Sequence, residues 1–150
     1  LIQGILDIGK AMAPPLIREV KKLAREEIAL IDCPPGTSCP MVTAVGGADY
    51  VILVTEPTPF GLHDMTLAVE TLRKMNMNFG VIINRADSGD DRVEKYCANE
   101  NIEVIMRIKE SIDAARAYSK GIPLYDALPE IKHDFISASK KIMNRAGEQI

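Results

Sequence analysis

The segment Ala29-Leu30-Ile31-Asp32-Cys33-Pro34-Pro35-Gly36-Thr37-Ser38-Cys39-Pro40 delivers an aspartate from an apolar, strand-like run straight into a loop of prolines and glycine. A carboxylate at such a place can hold a magnesium ion through water. Gly36, with no side chain in the way, lets a backbone N–H approach a terminal phosphate and so register whether that phosphate is present. The plainer alternative is that Asp32 only begins a turn that two prolines stiffen.

Two further segments have the makings of a site. Val54-Thr55-Glu56-Pro57-Thr58-Pro59-Phe60-Gly61 ends a strand, turns through two prolines and opens a helix near Leu62; on local sequence alone it is a rigid strand-to-helix turn. Asn84-Arg85-Ala86-Asp87 follows another apolar run. The Asn84 amide offers both a donor and an acceptor, which an adenine edge can match. The same spacing is compatible with the Asn-Lys-x-Asp string that reads guanine, Asp87 then accepting from the N1 and N2 donors. A third possibility is that Asn84 caps the next turn and Asp87 is exposed.

The elements that must position these residues are four apolar runs: Ile28 to Ile31, Tyr50 to Thr55, Phe79 to Ile83, and Glu103 to Ile108, the last interrupted by Arg107. The first three are continuous rather than alternating, as strands buried on both faces of a parallel sheet are. Between them lie stretches of helical spacing, such as Leu62, Met65, Leu67, Val69, Leu72 and Met75. The alternation predicts an α/β fold: an open, mainly parallel sheet with helices on both faces and ligands at the carboxyl ends of the strands. A helix is predicted over Pro14–Arg25, with a short edge strand at Gly4 to Ile8 before it. Ser111 is placed to cap a helix running through Tyr118 that Gly121 and Pro123 end, and a last helix spans Ile131–Arg145. No repeat or long linker divides the chain, so a single domain over 1–150 is expected.

The string Asp32-Cys33-Pro34-Pro35-Gly36-Thr37-Ser38-Cys39-Pro40 resembles the MinD/Mrp-like P-loop ATPases, the group with a deviant Walker A loop related to the nitrogenase iron protein. It is particularly similar to members carrying an inserted ferredoxin-like 4Fe-4S domain. The resemblance extends from Ile8-Gly9-Lys10-Ala11-Met12-Ala13 to Gly121-Ile122-Pro123-Leu124. It implies that Asp32 is the Walker B acid, catalytic and magnesium-holding, and that Gly36 and Thr37 belong to switch II. It implies further that the loop with Pro57 lies beside the phosphates and a partner subunit, and that Asn84, within the string running through Arg85 to Asp87, contacts adenine. ATP and Mg2+ are the implied cofactors, with a 4Fe-4S cluster only in a longer protein. Relatives have an Ile-Pro pair after the last strand whose backbone faces the base; here the chain reads Ile108-Lys109-Glu110.

Gly4-Ile5-Leu6-Asp7-Ile8-Gly9-Lys10-Ala11 matches the G-x-x-x-x-G-K part of a phosphate-binding loop. It is rejected, because its interior is apolar, almost no strand precedes it, and Ala11 has no hydroxyl for magnesium. The family's own Lys-Gly-Gly-x-Gly-Lys-Ser/Thr loop and the cysteine-rich insert are expected upstream of Leu1, since the chain does not begin with Met. This chain alone is therefore expected to be inactive.

Cys33, Cys39 and Cys97 form no zinc-type pair, and two thiols flanking the switch loop cannot alone satisfy a four-cysteine cluster. His63 and His133 have no partner at catalytic spacing. A formal net charge of -3 gives no general support to nucleic-acid binding, and no apolar run reaches the roughly 20 residues that span a bilayer. A cytoplasmic Mg-ATPase is expected, homodimeric when complete, with an iron–sulfur or redox partner protein. The alternatives are a non-enzymatic scaffold, or a ParA/MinD-type positioning ATPase that would need a stronger basic amphipathic face than the last helix offers.

Overall fold

The computed structural model describes residues 1–7, 9, 12–24 and 27–147. Ile8, Lys10 and Ala11 of the rejected loop, and Arg25 at the end of the expected first helix, lie outside these. The chain divides into two compact units, Leu1–Ala48 and Asp49–Ile150.

In the first unit, α1 (Ala13–Leu23) starts with Pro14 and Pro15, whose fixed φ suits a first helical turn and whose missing N–H groups would have had no partner there. Its Leu16, Ile17 and Val20 are half-buried on one face. The second helix, α2 (Cys39–Val45), has Pro40 in its first turn and buries Met41, Ala44 and Val45. Lys21 of α1 reaches the end of α2 and donates to the carbonyls of Thr43 (3.3 Å), Ala44 (2.8 Å) and Gly46 (2.5 Å). These carbonyls carry the negative end of the helix dipole, so a cation is the fitting cap.

The run from Ile28 to Ile31, expected to be a strand, is not one: among the described residues of this unit there is no strand at all. A strand exists only as a rung partner in a ladder, and no second extended segment among the described residues of the unit pairs with it. The expected edge strand at Gly4 to Ile8 is likewise not formed over the described residues 4–7. Leu30 is 92% exposed in consequence.

The second unit is the parallel α/β part. β1 (Val51–Thr55), β2 (Phe79–Asn84) and β3 (Val104–Ile108) form a sheet in the order β1-β2-β3. Both pairings are parallel, with Val51 opposite Phe79 and Thr55 opposite Ile83. The connections run through α3 (Pro59–Lys74) and α4 (Arg92–Asn99); α5 (Ile112–Ser119), α6 (Leu124–Ala127) and α7 (Pro129–Gly147) follow the last strand. Met65 and Val69 of α3 and Val93 and Cys97 of α4 pack with Val81 and Ile83 of β2. Ile82, between those two, packs instead with Ile131 and Ala138 of α7 and with Ile105 and Met106. Successive side chains of β2 thus enter opposite layers, which is why this strand has no polar face.

A register shift between Val81 and Ile82 leaves Ile105 as an extra residue on β3. It leans over Gly80, where a Cβ would lie 2.7 Å from the Ile105 Cδ1 and 2.5 Å from the Tyr50 hydroxyl, so any larger residue would have to displace these two side chains. As expected, Ser111 caps α5: its Oγ accepts from the Ala114 N–H at 3.2 Å.

Candidate functional site

Three loops leave the carboxyl ends of β1, β2 and β3, where ligands bind in open parallel sheets. After β1 the chain passes through Glu56 and a buried Pro57 into α3. Thr58 caps that helix by accepting from the Gly61 N–H at 2.9 Å, and the Thr55 hydroxyl donates to the Gly61 carbonyl at 3.0 Å. The turn is therefore clamped from both sides. Gly61 must be glycine for this geometry, because a Cβ there would lie 2.3 Å from the Glu56 carbonyl oxygen.

β2 ends at half-buried Asn84, and Arg85 follows with φ +51°, a left-handed conformation unusual for a residue with a side chain. The turn it makes sends Ala86 N–H to the carbonyl of Ile108 at 2.9 Å, joining this loop to the end of β3. Asp90 N–H donates to the Pro57 carbonyl at 3.3 Å, joining it to the loop after β1. Gly89 sits so close to Pro57 that an added Cβ would fall 1.9 Å from its carbonyl oxygen.

Charged side chains repeat this lacing. The Arg85 guanidinium donates to Glu110 at 2.7 Å and lies 3.7 Å from the Glu56 carboxylate. All three are between two-fifths and about half exposed, so the pairs act on geometry more than on stability. The Asp87 Oδ1 accepts from the Glu110 backbone N–H at 2.7 Å. That bond, ahead of the nearby Lys109 charge, holds the Asp87 carboxyl below its ordinary pKa. A cavity of about 490 Å³ opens beside it, lined by Asp87, Glu110, Ser111, Ile112 and Ala115. Its volume lies in the range of small-molecule sites.

Of the residues singled out in the sequence, Pro57, Asn84, Arg85 and Asp87 are thus gathered at one end of the sheet. Asp87 serves the loop that follows β3, a use that spacing did not suggest. Glu56 and Glu110 were missed. The available signal was their position, one and two residues beyond strand ends and opposite in charge to Arg85.

In the first unit, Asp32 is exposed and lines a cavity of about 620 Å³ with Ile28 to Ile31, Leu16, Val20 and Pro34. Gly36 takes φ +87° with nothing within 4 Å of where a Cβ would be, so glycine is required there by the backbone alone. Thr37 is exposed just before α2. Cys33 is half-buried, and burial, followed by the Asp32 charge, raises its thiol pKa. Cys39 is exposed and Cys97 buried, all three thiols being free. Among the described residues no three His, Cys, Asp or Glu side chains gather as a metal-binding group, so these thiols do not fit a four-ligand cluster. His63 and His133 are exposed. No helix of the described residues is long and apolar enough to cross a membrane.

Parallel strands joined by helices, with polar loops laced together at their carboxyl ends, define an open α/β domain. The MinD cell division protein of Aquifex aeolicus has this fold: it superposes with a TM-score of 0.68 at 22% identity, over 88% of this chain and 59% of that one. No family model matches the sequence. An uncharacterized protein of Methanocaldococcus jannaschii is 33% identical over 117 residues, 67% of this chain and 44% of its own length. The iron-sulfur cluster carrier protein of Pyrococcus horikoshii is 28% identical over 139 residues, 81% of this chain and 47% of its own length. The chain spans less than half the length of these curated relatives. The fold is thus that of MinD, and the sequence is similar to those of iron-sulfur cluster carrier proteins.

Proposed function

We propose that this chain forms the switch and base-binding part of a Mg-ATPase that works as a homodimer and serves iron–sulfur cluster handling or electron transfer. The observation that carries the reading is the convergence of Pro57, Asn84, Arg85 and Asp87 at the carboxyl end of a MinD-like parallel sheet, beside a cavity of about 490 Å³. In this reading Asn84 offers its amide to the base. Asp32 holds magnesium through water, with Gly36 and Thr37 sensing the terminal phosphate across a loop that needs no side chain at its tightest point. Adenine is assigned to the Asn84 amide, and Asp87 to the loop whose Glu110 N–H its Oδ1 holds. The iron–sulfur link is supported by the name of the Pyrococcus relative.

Phosphoryl transfer draws most of its charge stabilisation from a phosphate loop and its lysine, which residues 1–150 do not supply. The full-length natural protein is therefore expected to hydrolyse ATP with magnesium, and Asp32→Ala to abolish turnover. The 150-residue chain by itself is expected to be inactive. An ATPase activity of the 150-residue chain that Asp32→Ala removes would overturn this division of labour, and a full-length protein with no ATPase activity would overturn the enzyme reading.

A further inference from the structure

The loop after β3 has no helical or strand bonds of its own between Ile108 and Ser111. Its course is set from outside. The Glu110 N–H is taken by Asp87 Oδ1 at 2.7 Å, the Glu110 carboxylate by Arg85 at 2.7 Å, and the Ile108 carbonyl by Ala86 N–H at 2.9 Å. The next residue, Ser111, is fixed as the cap of α5. Glu110, Ser111, Ile112 and Ala115 form most of the cavity wall, so whatever fixes Glu110 fixes the wall. Arg85 holds only the Glu110 carboxylate, whereas among the described residues Asp87 is the side chain that grips the backbone of this loop. Its own position is in turn fixed by the left-handed turn at Arg85 and by the contact of Gly89 and Asp90 with Pro57.

We propose that Asp87 is a positioning residue: by holding the Glu110 N–H it sets the wall formed by Glu110 and Ser111, and through that wall the discrimination between purine bases. The proposal rests on the nucleotide-binding reading above. It differs from the direct reading suggested by the Asn-x-x-Asp spacing, in which Asp87 itself touches the base. The two separate on substitution. Asparagine keeps an acceptor oxygen at Oδ1 and so keeps the grip on Glu110; alanine removes it. A direct contact with the N1 and N2 donors of guanine, by contrast, needs the carboxylate, and asparagine would abolish it.

The test is equilibrium binding of ATP and of GTP to the full-length natural protein and its Asp87→Asn and Asp87→Ala variants, with hydrogen exchange at the Glu110 amide read without nucleotide. Asp87→Ala is expected to weaken ATP binding by roughly five- to tenfold, the scale of one hydrogen bond, and to narrow the ATP-to-GTP ratio. It should also deprotect the Glu110 amide. Asp87→Asn should stay within about twofold of the parent in ATP affinity, with the amide still protected. Asp87→Ala with an unchanged ratio, or asparagine and alanine shifting the ratio equally, overturns the positioning role while leaving nucleotide binding intact. A parent protein that binds neither nucleotide overturns the nucleotide reading and this proposal with it.

Discussion

Gly61→Ala sets two physical effects against each other at the mouth of the candidate site. Gly61 is the third residue of α3. By helix propensity alone, alanine at a helical position is better than glycine by about 1 kcal/mol. The structure gives the opposite sign. A Cβ at residue 61 would stand 2.3 Å from the Glu56 carbonyl oxygen, 2.9 Å from the Thr55 Oγ1 and 3.2 Å from the Thr58 Oγ1. Real Cβ atoms essentially never approach within 3.0 Å, so the Glu56 oxygen must retreat by at least the difference, 3.0 minus 2.3, or 0.7 Å. That oxygen is backbone and already accepts from Thr58 N–H at 2.8 Å, so it cannot rotate away as a side chain could. Overpacking of this kind costs about 1–3 kcal/mol, and loss of the Thr58 cap adds about 1 kcal/mol. After the propensity gain is subtracted, the net destabilisation is about 1–3 kcal/mol. For a chain of this size each kcal/mol lowers Tm by roughly 2–4 °C, so thermal unfolding should shift down by about 2–12 °C. Gly147→Ala, at the end of α7 with nothing near its Cβ position, is the control and should be neutral or slightly stabilising. A Gly61→Ala variant with a raised Tm would refute the steric argument.

Two other perturbations separate the roles of the first unit. Lys21→Met keeps the apolar stem of the side chain but removes the ammonium that donates to Thr43, Ala44 and Gly46; loss of these charge-assisted bonds should cost about 1–3 kcal/mol. Faster amide exchange confined to residues 39–45 is the expected signature, and unchanged exchange there would show that the ammonium is dispensable. Alkylation of the native protein at neutral pH should modify Cys39 first, because it is exposed, then half-buried Cys33, and Cys97 only on unfolding. Burial and then the Asp32 charge raise the Cys33 pKa, so its thiolate fraction and its alkylation rate should climb with pH beyond the range of an ordinary thiol, and Asp32→Asn should make it react faster at a given pH. Mass-mapped labelling in which Cys97 leads would contradict the packing of α4.

The three strands of the second unit were legible because strands of a parallel sheet covered by helices carry runs of apolar side chains, most completely at the central β2, and such runs stand out whatever surrounds them. Even the interruption at Arg107 has a local cause: the residue projects from β3 and pairs with Glu94 of α4 at 2.6 Å, with about half its side chain exposed. The Ser111 cap was readable for the same reason, since its partner is three residues away. The run from Ile28 to Ile31 has as good a strand composition as β1, yet composition supplies only half of a ladder; the other half is a neighbour, and none is formed among the described residues of 1–48. The reverse error occurred at α2, whose Val42, Thr43 and Val45 are β-branched and gave no helical expectation although Cys39 and Pro40 start a helix whose buried face is Met41, Ala44 and Val45. The charge lacing of the candidate site belongs to the same class of fact. Arg85 and Glu110 are 25 residues apart, and they meet only because β2 and β3 run parallel and end side by side. What the sequence could offer was the type of residue at each strand end; which of those residues touch is a property of strand order, and strand order is decided by the helices that pack across the sheet.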